Sequence, residues 1–160
     1  MQYLEILVKL RKIIRSINLE SKKIQKDFGI SIPQLLVLQF LSGQEDYKAT
    51  GKEIKTYINL NASTVSGIVQ RLEDKGLVAR LSNPADKRAM FVTLTAKGAE
   101  LLKTSPTTLQ EKMSKRLQNL SGKQIEELNS SIEILTRLLD AEDVDASPLI
   151  TINDIPKAKK

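Results

Sequence analysis

The chain has no cysteine and no histidine among its 160 residues. Their absence removes disulfides, thiolate nucleophiles, imidazole bases and the usual zinc ligand sets together. It also lacks a Gly-rich phosphate loop of the G-x-x-x-x-G-K-S/T kind, a nucleophile beside a base, and metal-ligand spacing, so neither an enzyme nor a cofactor is expected. Paired acids such as Glu126 and Glu127 fit the exposed face of a helix. No apolar run approaches the roughly 18 residues a membrane helix needs, and Glu5 does not fit a secretory leader. The expectation is a soluble, cytoplasmic protein with no membrane partner.

What is present is a 41% apolar content, enough for the core of one domain, and a net charge of +6 that is unevenly spread. Residues 48–98 hold nine Lys/Arg against four Asp/Glu, whereas residues 99–160 hold nine against ten. A basic middle third is the electrostatic footprint of a nucleic-acid partner, although a solvated lysine-rich face has the same composition.

Apolar residues at helical spacing, including Leu4, Leu7, Ile14, Ile17 and Ile24, predict a first helix from Tyr3 to about Lys26. Its apolar face is broader than one partner needs, and another subunit is a candidate for the second. Ser31 with Gln34 and Thr50 with Glu53 are capping boxes that start two further helices. Asn61 caps a fourth, with Val65, Ile68, Val69 and Leu72 inward and Gly76 as its stop. Residues 77–82 and 90–95 alternate with period two around Asn83 and Pro84, which predicts a hairpin. Thr95 opens a fifth helix that Pro106 should kink or split. Ser121 and Gln124 open a last helix whose Ile125, Leu128, Ile132, Leu135 and Leu139 form a seam of coiled-coil spacing. Residues 141–160 read as a weakly ordered tail that can lie on the folded part through Leu149, Ile150 and Ile152.

The expected fold is mainly α with a small β-hairpin wing: two short helices and a hairpin in the order of a winged helix-turn-helix. The outward face of the fourth helix falls at Ser63, Ser66, Gly67 and Gln70, with Thr64 and Arg71 on its flank. Small side chains let a helix approach a groove floor, and an amide such as Gln70 can pair two-pronged with adenine. Taken alone, Ser63 and Thr64 are also what a helix cap requires.

The run LNASTVSGIVQRLEDKGLVAR followed by NPADKRAMFVTLTAKG resembles the recognition helix and wing of the MarR family of bacterial transcription regulators. Ser63 to Ser66 and Arg71 to Val78 match its helix pattern; Asp86, Arg88, Val92, Leu94, Thr95 and Gly98 match its wing pattern. The resemblance covers about residues 1–140 and implies a DNA-binding lobe over about 31–98, with dimerisation helices over about 1–28 and 99–140. It implies that Ser63, Thr64, Ser66 and Gln70 face the major groove and that Arg71 and Lys87 meet phosphates. Arg88 would enter the minor groove, oriented by an ion pair with Asp86. Gly67 departs from the pattern, since many relatives carry a basic or larger polar side chain there. The implied protein is a homodimeric repressor of an inverted-repeat operator on double-stranded DNA, open to relief by a small-molecule effector held between the first, second and fifth helices. Two alternatives are that the apolar stripes close a monomer core, and that the winged helix binds protein instead of DNA.

Overall fold

Around residue 31 the chain solves a burial problem before it solves a packing one. The N–H of Ser31 donates to Gln34 Oε1 at 2.9 Å and the N–H of Gln34 donates to Ser31 Oγ at 3.3 Å. Both side chains are buried, so each satisfies a main-chain donor that would otherwise be stranded away from water. The helix they open, α2 (Ile32–Ser42), is surrounded: Ile32, Leu35, Leu36, Val37, Leu38 and Leu41 are all within 2% of full burial.

The computed structural model describes residues 2–86 and 88–144, which fall into two compact units, residues 2–106 and 107–144. In the first, α1 (Gln2–Phe28) precedes α2, and a short turn leads to β1 (Lys48–Thr50), α3 (Gly51–Ile58) and α4 (Ala62–Asp74). Strands β2 (Val78–Ser82) and β3 (Met90–Leu94) follow, then α5 (Ala96–Thr104). Ile54 and Ile58 of α3, Val65, Ile68, Val69 and Leu72 of α4, and Val78 and Val92 of the strands close on α2 to make one core. Each fully buried Leu or Ile contributes roughly 1.5–3 kcal/mol relative to exposure.

The hairpin gains a third strand that the alternation did not predict. β1 pairs antiparallel with β3, giving the order β1-β3-β2. Three residues are too few to show a period, and only Ala49 of the three is buried.

The wing is anchored at its base. The N–H of Thr95 donates to the Leu77 carbonyl at 3.1 Å, the Thr95 hydroxyl donates to the Gly76 carbonyl at 2.7 Å, and Lys97 Nζ donates to the Lys75 carbonyl at 2.7 Å. Lys75 Nζ in turn reaches the Gly29 carbonyl at 2.8 Å. At Gly98 the start of α5 lies so close to this junction that a Cβ would run into the Leu77 carbonyl oxygen and the Leu94 side chain.

In the second unit, α6 (Leu109–Leu117) and α7 (Gly122–Leu138) stand as separate helices. The helix expected from Thr95 towards Leu120 is split, as Pro106 allowed. Its second half starts with a capping box of its own, in which Thr108 N–H donates to Glu111 Oε2 at 2.8 Å. Ser121 and Gln124 cap α7 as expected. Among the described residues no helix is long and apolar enough to cross a membrane. Residues 145–160, with most of the expected tail, lie outside the described residues.

Candidate nucleic-acid interface

Two short helices meet at a sharp corner because Asn59 adopts φ 53°, the left-handed conformation that asparagine tolerates. Asn61 then caps α4: its Oδ1 accepts from the Thr64 N–H and from the Ser63 hydroxyl, both at 2.8 Å. With Val65, Ile68, Val69 and Leu72 fixed inward, the 3.6-residue period exposes Ser63, Ser66 and Gln70 on the opposite face and leaves Thr64 and Arg71 half-buried on its flank.

Gln70 is engaged within the protein. Its Nε2 donates to Asp74 Oδ1 at 2.9 Å, and its Oε1 accepts from Arg80 Nη1 at 3.0 Å. The same nitrogen of Arg80 is 3.0 Å from Glu73 Oε2. Arg80, which supports Gln70 from the strand, is a residue that sequence reasoning passed over as one letter of an alternating strand. The signal was available: period two puts Arg80 on the same face as the buried Val78, where a guanidinium needs partners.

Arg71 folds along α4. Both terminal nitrogens of its guanidinium lie 3.9 Å from where a Gly67 Cβ would stand, an ordinary van der Waals distance.

At the wing tip two Asx turns shape the loop. Asn83 Oδ1 accepts from the Ala85 N–H and Asp86 Oδ1 accepts from the Arg88 N–H, each at 2.9 Å. Asp86, expected to orient Arg88 by an ion pair, accepts from the Arg88 main-chain N–H, and this bond closes the turn. Arg88 is exposed, and Lys87 lies outside the described residues.

Between the start of α3, the flank of α4 and the hairpin runs an open cleft of about 450 Å³, with Lys52, Lys55, Ser66 and Arg80 among its walls. At its edge Glu53 accepts from the N–H and hydroxyl of Thr50, at 2.7 and 2.8 Å, and these bonds hold its carboxyl below the usual carboxylate range. Among the described residues no group of three or more acidic side chains is placed to hold a metal ion.

A helix with a small polar outward face, capped at a tight corner and followed by a basic wing, is the geometry of groove-reading proteins. Residues 28–89 match the family model for the MarR family. Over these residues the chain is similar to the MarR family. It is similar to two HTH-type transcriptional regulators: the uncharacterized YdgJ of Bacillus subtilis, 28% identical over 134 residues that cover 84% of this chain and 77% of that protein, and MgrA of Staphylococcus aureus, 28% identical over 123 residues that cover 77% and 79%. A MarR family transcriptional regulator from Streptomyces coelicolor, crystallised with DNA, is 26% identical; it superposes with a TM-score of 0.59 over 89% of this chain and 93% of that one.

Proposed function

We propose that the protein is a homodimeric, sequence-specific repressor that occludes an inverted-repeat operator in double-stranded DNA. Each protomer lays α4 in a major groove, with Ser63, Thr64, Ser66 and Gln70 towards the bases and Arg71 and Lys87 on phosphates. Arg88 enters the neighbouring minor groove, where A·T-rich sequence narrows the groove and concentrates negative potential. The observation that carries the reading is the outward face of α4, small and uncharged from Ser63 to Gln70, beside an exposed arginine on a hairpin anchored at its base.

Dimerisation through residues 1–28 and 99–140 is supported by apolar side chains that the single chain leaves bare. In α1 Leu4 is 48% exposed, Leu7 50% and Ile14 56%; in α7 Ile132 is 50% exposed. Two α4 helices related by a two-fold axis would meet major grooves about one DNA turn apart, which is why the operator is an inverted repeat. A small molecule seated in the cleft beside Lys55 and Arg80 would occupy part of the DNA face, and that is the form of effector control this geometry supports.

Fluorescence anisotropy against the duplex upstream of the protein's own coding sequence and a scrambled duplex, at several salt concentrations, tests the reading. Preferential binding to the first, weakening linearly on a log–log salt plot, is expected. Equal affinity for both duplexes would remove the sequence-specific repressor.

A further inference from the structure

We propose that Arg80 is a positioning residue that sets which way round the Gln70 amide meets a base, and so governs base preference at one position of each half-site. The inference rests on the reading above, in which Gln70 faces the major groove.

A glutamine amide has an oxygen and an NH₂ group of nearly equal size, so a free one can turn over and offer donor and acceptor in either order. Gln70 is held at both ends. Its oxygen accepts from Arg80 Nη1 and its nitrogen donates to Asp74 Oδ1. Turning the amide over would set NH₂ against the guanidinium N–H and oxygen against the carboxylate, replacing two hydrogen bonds with two like-to-like contacts. Arg80 is itself held, because Glu73 Oε2 lies 3.0 Å from the same Nη1, and both side chains of that pair are 32% exposed. Nη1 carries two hydrogens, one for Gln70 and one for Glu73.

The clamp does not use up the amide. An oxygen has a second lone pair and an NH₂ a second hydrogen, so one acceptor and one donor stay available in fixed order. Adenine presents the matching pair, N6–H₂ and N7, whereas guanine presents two acceptors. A Gln70 free to turn would tolerate more bases than one held by Arg80.

The test is selection of duplexes from a randomised library by the wild-type protein, Arg80→Lys, Asp74→Ala and Gln70→Ala, followed by anisotropy on the selected duplex and its single-base variants. Arg80→Lys keeps the charge but not the planar fork. A two-pronged contact gives roughly five- to hundredfold discrimination in the wild type. Gln70→Ala should abolish it at one position per half-site. Arg80→Lys should cut the ratio at that same position severalfold while leaving affinity for a scrambled duplex within about twofold, since its charge is retained. Asp74→Ala releases the other end of the amide and should act at the same position, which keeps the test decisive if Arg80→Lys folds poorly. If Gln70→Ala collapses one position and both clamp variants retain the wild-type ratio there, Arg80 has no positioning role although Gln70 reads the base. If Gln70→Ala changes no position, the underlying reading of Gln70 fails and the clamp fails with it.

Discussion

The α2–α3–α4 region and the two ends of the helical chain use the same apolar residue types to opposite effect. Around α2, every Leu and Ile of the helix is buried and even the polar pair Ser31–Gln34 is satisfied internally. Along the first two thirds of α1 and along α7, residues of equal hydrophobicity stand about half exposed, and the buried residues of α1 are Ser21 and Ile24 near its end. An apolar stripe is thus a statement about burial, and the partner that buries it need not be in the same chain.

The strongest way to break the first half of the comparison is Leu38→Ala, which empties a fully buried site at the centre of the core. A loss of about 2–5 kcal/mol in denaturant unfolding is expected from this class of truncation. A loss under about 1 kcal/mol would mean that the core is less tightly packed than described. The second half is tested by Leu7→Glu with Ile132→Glu. Both positions are exposed in the single chain, so far-UV circular dichroism should barely change, while sedimentation should show association weakened by on the order of a hundredfold, because burying a charge costs several kcal/mol. Unchanged sedimentation would return those stripes to the monomer.

A smaller effect separates contact from structure at the wing. Arg88 is exposed and its main-chain N–H closes the turn, so Arg88→Ala should leave the melting temperature unchanged. It should weaken operator binding by about tenfold and lower the log–log salt slope by about 0.9 per lost phosphate-like contact, with the loss concentrated on duplexes that have A·T pairs beside each half-site. The smallest effect belongs to Glu53. Its carboxyl is held below the ordinary value by Thr50, so the native state favours the carboxylate. That stabilisation is fully present above the unfolded-state pKa and is lost as pH falls through the lower, folded one. Glu53→Gln should therefore flatten a slight acid-side decline in the melting temperature and leave neutral pH nearly unchanged; an identical acid limb would show that the capping carboxylate adds nothing.

Much of this architecture was legible because helix starts have local rules. Ser31 with Gln34, Thr50 with Glu53, and Ser121 with Gln124 announce themselves within four residues, and the hairpin does so through its period. The box at Thr108 and Glu111 obeyed the same rule but was masked by reading Pro106 inside one long helix. β1 was missed because three residues carry no period, and its pairing with β3 spans more than forty positions of sequence. At the interface, the exposure of Ser63, Ser66 and Gln70 followed from the burial of Val65, Ile68 and Leu72. The clamp on Gln70 did not, because it joins a helix to a strand ten residues away. Nor did the Asp86 contact: the resemblance implied an ion pair with the Arg88 side chain, whereas the bond that closes the turn runs from the Arg88 main-chain N–H to Asp86 Oδ1.

The junction of Leu77, Thr95 and Gly98 has a consequence for how the protein opens. The N–H of Leu77 donates to Leu72 of α4 and the Leu77 carbonyl accepts from Thr95, so one residue carries both the end of the helix and the end of the hairpin. The amides of α4 and β3 should then exchange with solvent deuterium in a single cooperative event, at nearly the same free energy of opening. Slow exchange in one would report on the integrity of the other, and an effector that loosened the wing would be visible at the Leu77 amide before it was visible in DNA binding.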